Sequence, residues 1–368
     1  MPNLFTRWLN KPNRLRPAPH LGAVARHNGQ GFPTLEDRHR QSQTYLTSSW
    51  VYYAVSRIAE ACALVPLHVL DEARQPLPNA HPLTRLLQHP NPTLSAFDLI
   101  EQTIGSLELT GNAYWFLAGN EGIPQEIWVL RADRVAIVPH ETDFVRGYVY
   151  QVNGQRLPLE AVEVIHFKRW HPLDDYYGAS PLQAGQIAIT SDRAMAEWNR
   201  NTFGQENGIP AGIVTLPPTL TDTDYERVQR EWRSSYGGTQ RKTAFLRGES
   251  VKWQSITHSH TDLDFLHGRK AHRDEILNLF GIPVGMVSDN ATEANAKVAE
   301  RLFIERTLYP KLVRLASKIT TELLPFWSTE WVAMFDDIRP TDIHARLEEI
   351  RTAAQFMSVE EIRQRYYS

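Results

Sequence analysis

The stretch from Asp262 to Trp327 limits what this chain can fold into more than any other, because it spells two helices joined by a short polar loop. Thr261 and Asp262 offer side-chain oxygens that can cap the orphan N–H groups of the first helix. That helix stops at Phe280-Gly281-Ile282-Pro283, where glycine suits a left-handed cap and proline cannot extend the ladder. The loop from Met286 to Asn295 is small, polar and nearly uncharged. The second helix carries Val298, Leu302, Leu308, Leu312, Leu315, Ile319 and Leu323 close to one stripe, and Pro310 predicts a kink. From Ala296 to Leu324 it spans roughly 43 Å at 1.5 Å per residue. A helix of that length asks for a partner along its whole face.

The rest of the chain reads as an α+β protein. Residues 1–40 hold seven basic and two acidic residues without periodicity, which predicts a mobile arm: a disordered tail, or a strap that docks on a neighbouring subunit. Structure is expected from Thr47-Ser48-Ser49, a cap cluster before a helix whose face is Val51, Val55, Ile58, Cys62 and Val65. Ser95 caps a second helix that Gly111 ends. Strand-like runs follow at 113–118, 126–130, 134–138, 147–152 and 163–168, so residues 41–178 predict helices with an antiparallel sheet. Gly178-Ala179-Ser180-Pro181 opens a helix reaching about Phe203. Leu182, Ile189, Ala196 and Phe203 share one side of it, and Ile187, Ala194 and Trp198 mark the other, which predicts burial on two sides. Residues 208–260 predict a small α/β insert: a helix at 222–236 and strands at 211–216, 242–246 and 251–256. A strand at 331–335, a helix at 341–356 and a capped turn from Ser358 complete the chain.

Composition narrows the functions. With 42% hydrophobic residues in 368, the apolar mass suffices for two or three cores. A net charge of −3 gives no argument for tight nucleic-acid binding by the chain as a whole. Cys62 is the one cysteine, which excludes an internal disulfide framework and reads as a packed thiol on an apolar helix face. No apolar run has the length of a membrane span, so no membrane partner is expected. The sharpest enzyme-like cluster is His258, His260 and Asp262, whose imidazoles and carboxylate suit zinc or manganese; a metal-dependent hydrolase is the alternative reading. Against it, Asp262 is used to start a helix, and His267 and His272 fall on different helix faces. Gly237–Thr243 ends like a phosphate loop, but Arg241 stands where glycine is needed before the lysine. With no nucleophile elbow or zinc-protease helix either, the expectation is a protein that is not an enzyme and carries no cofactor and no metal. Arg193, Arg200, Arg269, Lys270 and Arg273 are solvated helix faces or, if the chain assembles around DNA, a row facing phosphates.

Several segments, in order and spacing, resemble the portal proteins of tailed bacteriophages, specifically the HK97-type portal family, over roughly residues 45–365. They are LTGNAYW from Leu109, VIHF from Val164, YGASPL from Tyr177, EILNLFGIP from Glu275, Asn295 through Phe303, TLYP from Thr307, Phe335-Asp336-Asp337, and SVEEIR from Ser358. The chain departs from the family in bulkier residues at Leu277–Leu279 and in Glu360-Glu361, where Asn-Glu is usual.

The resemblance implies a ring, commonly a dodecamer, at one capsid vertex of the virion, assembled in the host cytoplasm. Double-stranded DNA would enter and leave through its channel without sequence-specific contacts. It implies a flexible arm (1–40), a wing (41–178, rejoined by the long kinked helix and wing return at 296–340) and a stem of two helices (179–207 and 261–283). A clip (208–260), a tunnel loop (284–295) and a short C-terminal crown (341–368) complete it. Implied partners are the terminase large subunit, which supplies the ATPase, a head-tail adaptor protein, and the major capsid or scaffolding protein. In this picture Val287, Ser288, Asp289, Asn290, Ala291, Thr292, Glu293 and Asn295 form the loop nearest the DNA, the five basic residues above face the channel, and Tyr225, Arg230, Trp232, Arg233 and Tyr236 make the clip's docking surface.

Overall fold

The computed structural model describes residues 34–120, 122–140, 142–204, 212–215, 221–236, 252–255, 265–288, 292–340, 351–358 and 361. The chain leaves a first compact unit after Gln183, forms a second from Ala184 to Ile276, and re-enters the first at Leu277.

The first unit begins earlier than the sequence suggested. Helix α1 (Leu35–Thr47) starts at a capping box in which Thr34 and Asp37 satisfy each other's backbone N–H groups. Residues 35–40 therefore do not belong to an arm. The helix is so polar that no apolar stripe announces it, and it is held instead by Arg38, 2% exposed, which donates to the carbonyls of Ala132 and Val135, both at 3.0 Å. Its guanidinium also lies over the Tyr177 ring, 4.4 Å from the centroid. Helix α2 (Ser49–Ala63) buries Val51, Val55, Ile58 and Cys62 as its spacing predicts. Strand β1 (Leu67–Leu70), the short α3 (Pro82–Gln88) and α4 (Ala96–Thr110) follow, α4 ending at Gly111 with φ +76°.

Six strands come next: β2 (Asn112–Asn120), β3 (Ile123–Leu130), β4 (Val135–His140), β5 (Phe144–Val152), β6 (Gln155–Glu160) and β7 (Val164–Lys168). The expected single sheet is two antiparallel sheets, ordered β3-β2-β7 and β4-β5-β6. β6 escapes sequence reading because QRLPLE is mostly exposed and contains a proline. Tyr114, Leu130, Val135, Ile137, Tyr148, Leu159, Val164, Tyr176 and Tyr177 form a core fed by both sheets. The next residue along β2, Trp115, points the other way, as a strand's period of two requires, and donates to Thr103 of α4 at 2.7 Å.

The helix predicted from Pro181 is two pieces, α5 (Pro181–Ala184) and α6 (Gln186–Gly204). Ala188 and Ile189 are buried, but Ile187 is 80% exposed and Ala194 is exposed, so a single chain does not bury α6 on two sides. The second unit also contains β8 (Gly212–Thr215) and β9 (Lys252–Ser255), paired antiparallel, and α7 (Asp222–Tyr236). The strand expected at 242–246 lies outside the described residues. Helix α8 (Phe265–Leu279) carries the chain back, and its expected cap residues Thr261 and Asp262 also lie outside the described residues.

In the return segment a 3-10 turn at Val284–Met286 precedes α9 (Glu293–Phe303). The helix then passes through a π-helical stretch, Ile304–Leu308, into α10 (Tyr309–Glu322). The irregularity expected at Pro310 is thus placed just before it: Tyr309 N–H reaches back five residues to Ile304, widening the turn into which the proline ring would otherwise clash. Leu308, Leu312, Leu315, Ile319 and Leu323 are buried as expected, whereas Val298 is 57% exposed. Strand β10 (Val332–Phe335) pairs antiparallel with β1 and returns the chain to its start. Of the helix expected at 341–356, only Arg351–Ala353 is described as helical, and Ser358 bonds Glu361 as a capped turn should.

Candidate functional site

The segments singled out in the sequence meet at two joints inside the first unit. The exit joint lies where the chain prepares to leave. Asn112 Oδ1 accepts from Gly178 N–H at 2.8 Å and from His166 Nε2 at 3.0 Å, while its Nδ2 donates to Thr110 at 2.8 Å. The acceptor role of Oδ1 places the His166 proton on Nε2. Arg169 N–H closes on Gly111 at 2.9 Å, and Ser180 Oγ donates to Leu109 at 2.6 Å while capping α5. A Cβ on Gly111 would stand 2.6 Å from the backbone carbons of Gly178 and Ala179, so the two stretches touch main chain to main chain. Burial pushes the His166 imidazole well below its usual range, with Lys168, Lys318 and Arg38 adding in the same direction, so the ring is neutral. Tyr114 stacks on it with centroids 4.3 Å apart.

The return joint lies where the chain comes back. Gly281 ends α8 in the left-handed region at φ +76°, and Ile282 N–H reaches the Leu277 carbonyl at 2.9 Å. Thr307, in the π-helical stretch, donates its hydroxyl to the Gly281 carbonyl, and a Cβ on Gly281 would stand 2.7 Å from the Thr307 Oγ1. Both joints put backbone carbonyls and N–H groups to use and expose no reactive group; they are built to hold geometry.

The predicted site residues fall into distinct environments. Arg269 Nε bonds the buried Asp192 at 3.0 Å, Arg193 bonds Glu197 at 2.9 Å, and Arg273 bonds Asp274 at 2.8 Å. Three of the five basic residues expected to face phosphates are therefore already partnered by carboxylates. Arg200 and Lys270 are exposed and form no ion pair among the described residues. Gly268 packs against Met195, where a Cβ would meet the methionine Cε at 3.0 Å, so α6 and α8 approach closely at that point. Tyr225 is exposed on α7 and Arg230 Nε bonds the Glu226 carbonyl; the side chains of Trp232, Arg233 and Tyr236 fall outside the described residues.

The loop expected at 284–295 is shorter than the sequence suggested. Thr292 is the N-cap of α9, its hydroxyl accepting from Asn295 N–H at 3.3 Å, so Glu293 and Asn295 lie in the first helical turn. Glu293 pairs with Lys297 at 2.7 Å. Val287 and Ser288 are half-buried, and Asp289, Asn290 and Ala291 lie outside the described residues. Gly285 in the preceding turn rests on α9, since a Cβ there would meet that of Ala299 at 3.1 Å. His258, His260 and Asp262 of the metal reading lie outside the described residues as well. Among the described residues, no group of three His, Cys, Asp or Glu side chains could hold a metal ion.

Residues 49–366 match the sequence model of the family described as phage portal protein. The chain belongs to the phage portal protein family. It is 23% identical to the portal protein of Enterobacteria phage HK97 over 83% of its own length and 72% of that protein. It is 28% identical to a chain in the neck of an empty gene transfer agent particle computed with C6 symmetry, at a TM-score of 0.73 with 93% of this chain and 96% of that one covered. A chain in the neck of the native particle computed with C12 symmetry is 27% identical at a TM-score of 0.71, with 94% and 97% covered. In this family member, the LTGNAYW, VIHF and YGASPL segments are the three sides of the exit joint, and EILNLFGIP and TLYP are the two sides of the return joint.

Sequence reasoning missed one functional-looking group altogether. Glu108, 2% exposed, receives Arg169 Nη1 at 2.8 Å and Lys311 Nζ at 2.6 Å. Its signal was an acid following Ile104 by four and Leu107 by one, on the apolar stripe of α4, where an isolated charge needs a partner.

Proposed function

We propose that this chain is the repeating subunit of a portal ring, twelve copies around a channel through which double-stranded DNA is packaged into a capsid and later ejected. The likeness to the neck chains at TM-scores of 0.73 and 0.71, over more than nine-tenths of both partners, is the observation that carries the reading. Helices α6 and α8 are assigned to the stem, residues 208–260 to the clip that docks the terminase large subunit and the head-tail adaptor, and Ser288–Ala291 to the loop nearest the duplex. The first unit supplies the wing, facing the major capsid or scaffolding protein, and the ring sits at the portal vertex of the particle after assembly in the host cytoplasm. Twelve helices about 10 Å wide enclose a bore of roughly 28 Å, which admits a duplex about 20 Å across, whereas six leave about 9 Å. Arg200 and Lys270, exposed and without an ion pair among the described residues, fit a duplex that must slide: they attract phosphates without gripping them. Ile187, 80% exposed in a single chain, is a residue that a neighbouring copy would cover.

Negative-stain microscopy of the purified chain tests the reading. Rings are expected, and a chain that stays monomeric at every salt concentration overturns it. Deleting Ser288–Ala291, which spares the Thr292 cap, should leave rings intact while DNA packaging or retention falls; loss of the ring instead would make the loop structural.

A further inference from the structure

The exit and return joints are far apart in sequence, yet one buried carboxylate reaches toward both. Glu108 immediately precedes Leu109, whose carbonyl accepts the Ser180 hydroxyl at 2.6 Å. Its Oε2 accepts from Arg169 Nη1 at 2.8 Å, and the backbone N–H of that same arginine closes on Gly111 at 2.9 Å. Its Oε1 accepts from Lys311 Nζ at 2.6 Å. Lys311 follows Thr307 by four residues across the end of the π-helical stretch, and the Thr307 hydroxyl holds the Gly281 carbonyl. The path Ser180, Leu109, Glu108, Lys311, Thr307, Gly281 is therefore continuous through bonds and one stretch of helix, and every member lies in the first unit. Each oxygen of this deeply buried carboxylate is committed to one cation, so releasing either leaves a buried oxygen without its donor, which makes the link stiff. Burial pushes the nearby Arg314 guanidinium down, Arg169 adds in the same direction, and Glu108 opposes both.

We infer that Glu108 is a positioning residue that couples the two points where the chain leaves and re-enters the first unit, so that a displacement at one joint is transmitted to the other. The coupling does not depend on the ring, because all its members belong to one chain. Its consequence is that residues 184–276 are held by two roots that move together.

Hydrogen–deuterium exchange on the full chain tests this. Thr307→Val removes the hydroxyl of the return joint and leaves Glu108 and the exit joint chemically untouched. Exchange is expected to accelerate at least about five-fold at residues 277–283 and also at 178–183, with β5 keeping its original rate. In a Lys311→Met background the same change should no longer reach 178–183, and Lys311→Arg should restore the transmission. Acceleration confined to 277–283, or persisting at 178–183 without Lys311, overturns the inference. Equal acceleration in β5 overturns it too, since that marks a general loss of stability.

Discussion

His166 sits neutral among Asn112, Tyr114 and Tyr148, with its folded-state pKa held well below the unfolded value of 6.5 by burial. Below about pH 6.5 the unfolded chain takes up a proton that the folded chain refuses, so stability present above that pH is lost as the pH falls. The slope from this one group is at most about 1.4 kcal/mol per pH unit. Urea midpoints measured from pH 7 to pH 5 should fall accordingly, and His166→Gln should flatten the fall while keeping a donor for Asn112. Tyr114 presents the opposite case: its ring fills the core, but its hydroxyl is buried with no hydrogen-bond partner. Tyr114→Phe is therefore expected to stabilise the protein by about 1 kcal/mol, read as a higher Tm; a lower Tm would mean that the hydroxyl is satisfied in solution. Neither role was visible in the sequence. Asn112 and His166 both lie in segments that stood out, but they meet across 54 positions, and linear patterns carry no record of such a pairing.

Among the elements, two glycines separate two meanings of one backbone conformation. Gly111 and Gly122 have φ of +76° and +78°, but a Cβ on Gly111 meets the backbone of Gly178 and Ala179 whereas one on Gly122 meets nothing within 4 Å. Gly122→Ala should cost about 1–2 kcal/mol, the price of the left-handed conformation alone. Gly111→Ala should cost well beyond that, because main chain cannot step aside; equal midpoints in denaturant for the two variants would sink the claim that the exit joint is close-packed. Elements with an apolar period were legible: α2, α4, α10 and most strands lie where spacing and caps put them. Those held by polar chemistry were not. α1 depends on the burial of Arg38, the start of α9 depends on a threonine cap inside a stretch read as loop, and the π-helical turn before Pro310 depends on where the proline strain is relieved. The candidate site divides the same way: the basic residues on α6 and α8 were identifiable, but their carboxylate partners Asp192, Glu197 and Asp274 decide which remain free.

At the scale of the whole molecule, both joints and Glu108 belong to the first unit, so that unit holds the instructions for its own closure. Residues 34–183 joined to 277–340 by a flexible linker are expected to fold alone, with a native near-UV circular dichroism signal and a single thermal transition; a molten spectrum would show that residues 184–276 complete the core. The division itself was approached from caps and breakers, since Ser180-Pro181 and Gly281-Ile282-Pro283 both mark changes of direction, but the side of the chain to which Gln183 and Leu277 belong depends on contacts that no local signal encodes. The pairing of β1 with β10, Leu67 opposite Phe335 and Leu70 opposite Val332, has a further effect on the order of events during synthesis. On a ribosome adding roughly 5–20 residues per second, the first strand waits on the order of tens of seconds for the second. Throughout that time Leu67–Leu70 is an open edge able to pair with another nascent chain. Copies made close together on one message meet before any of them can close, and a protein destined for assembly must keep that first encounter from becoming an aggregate.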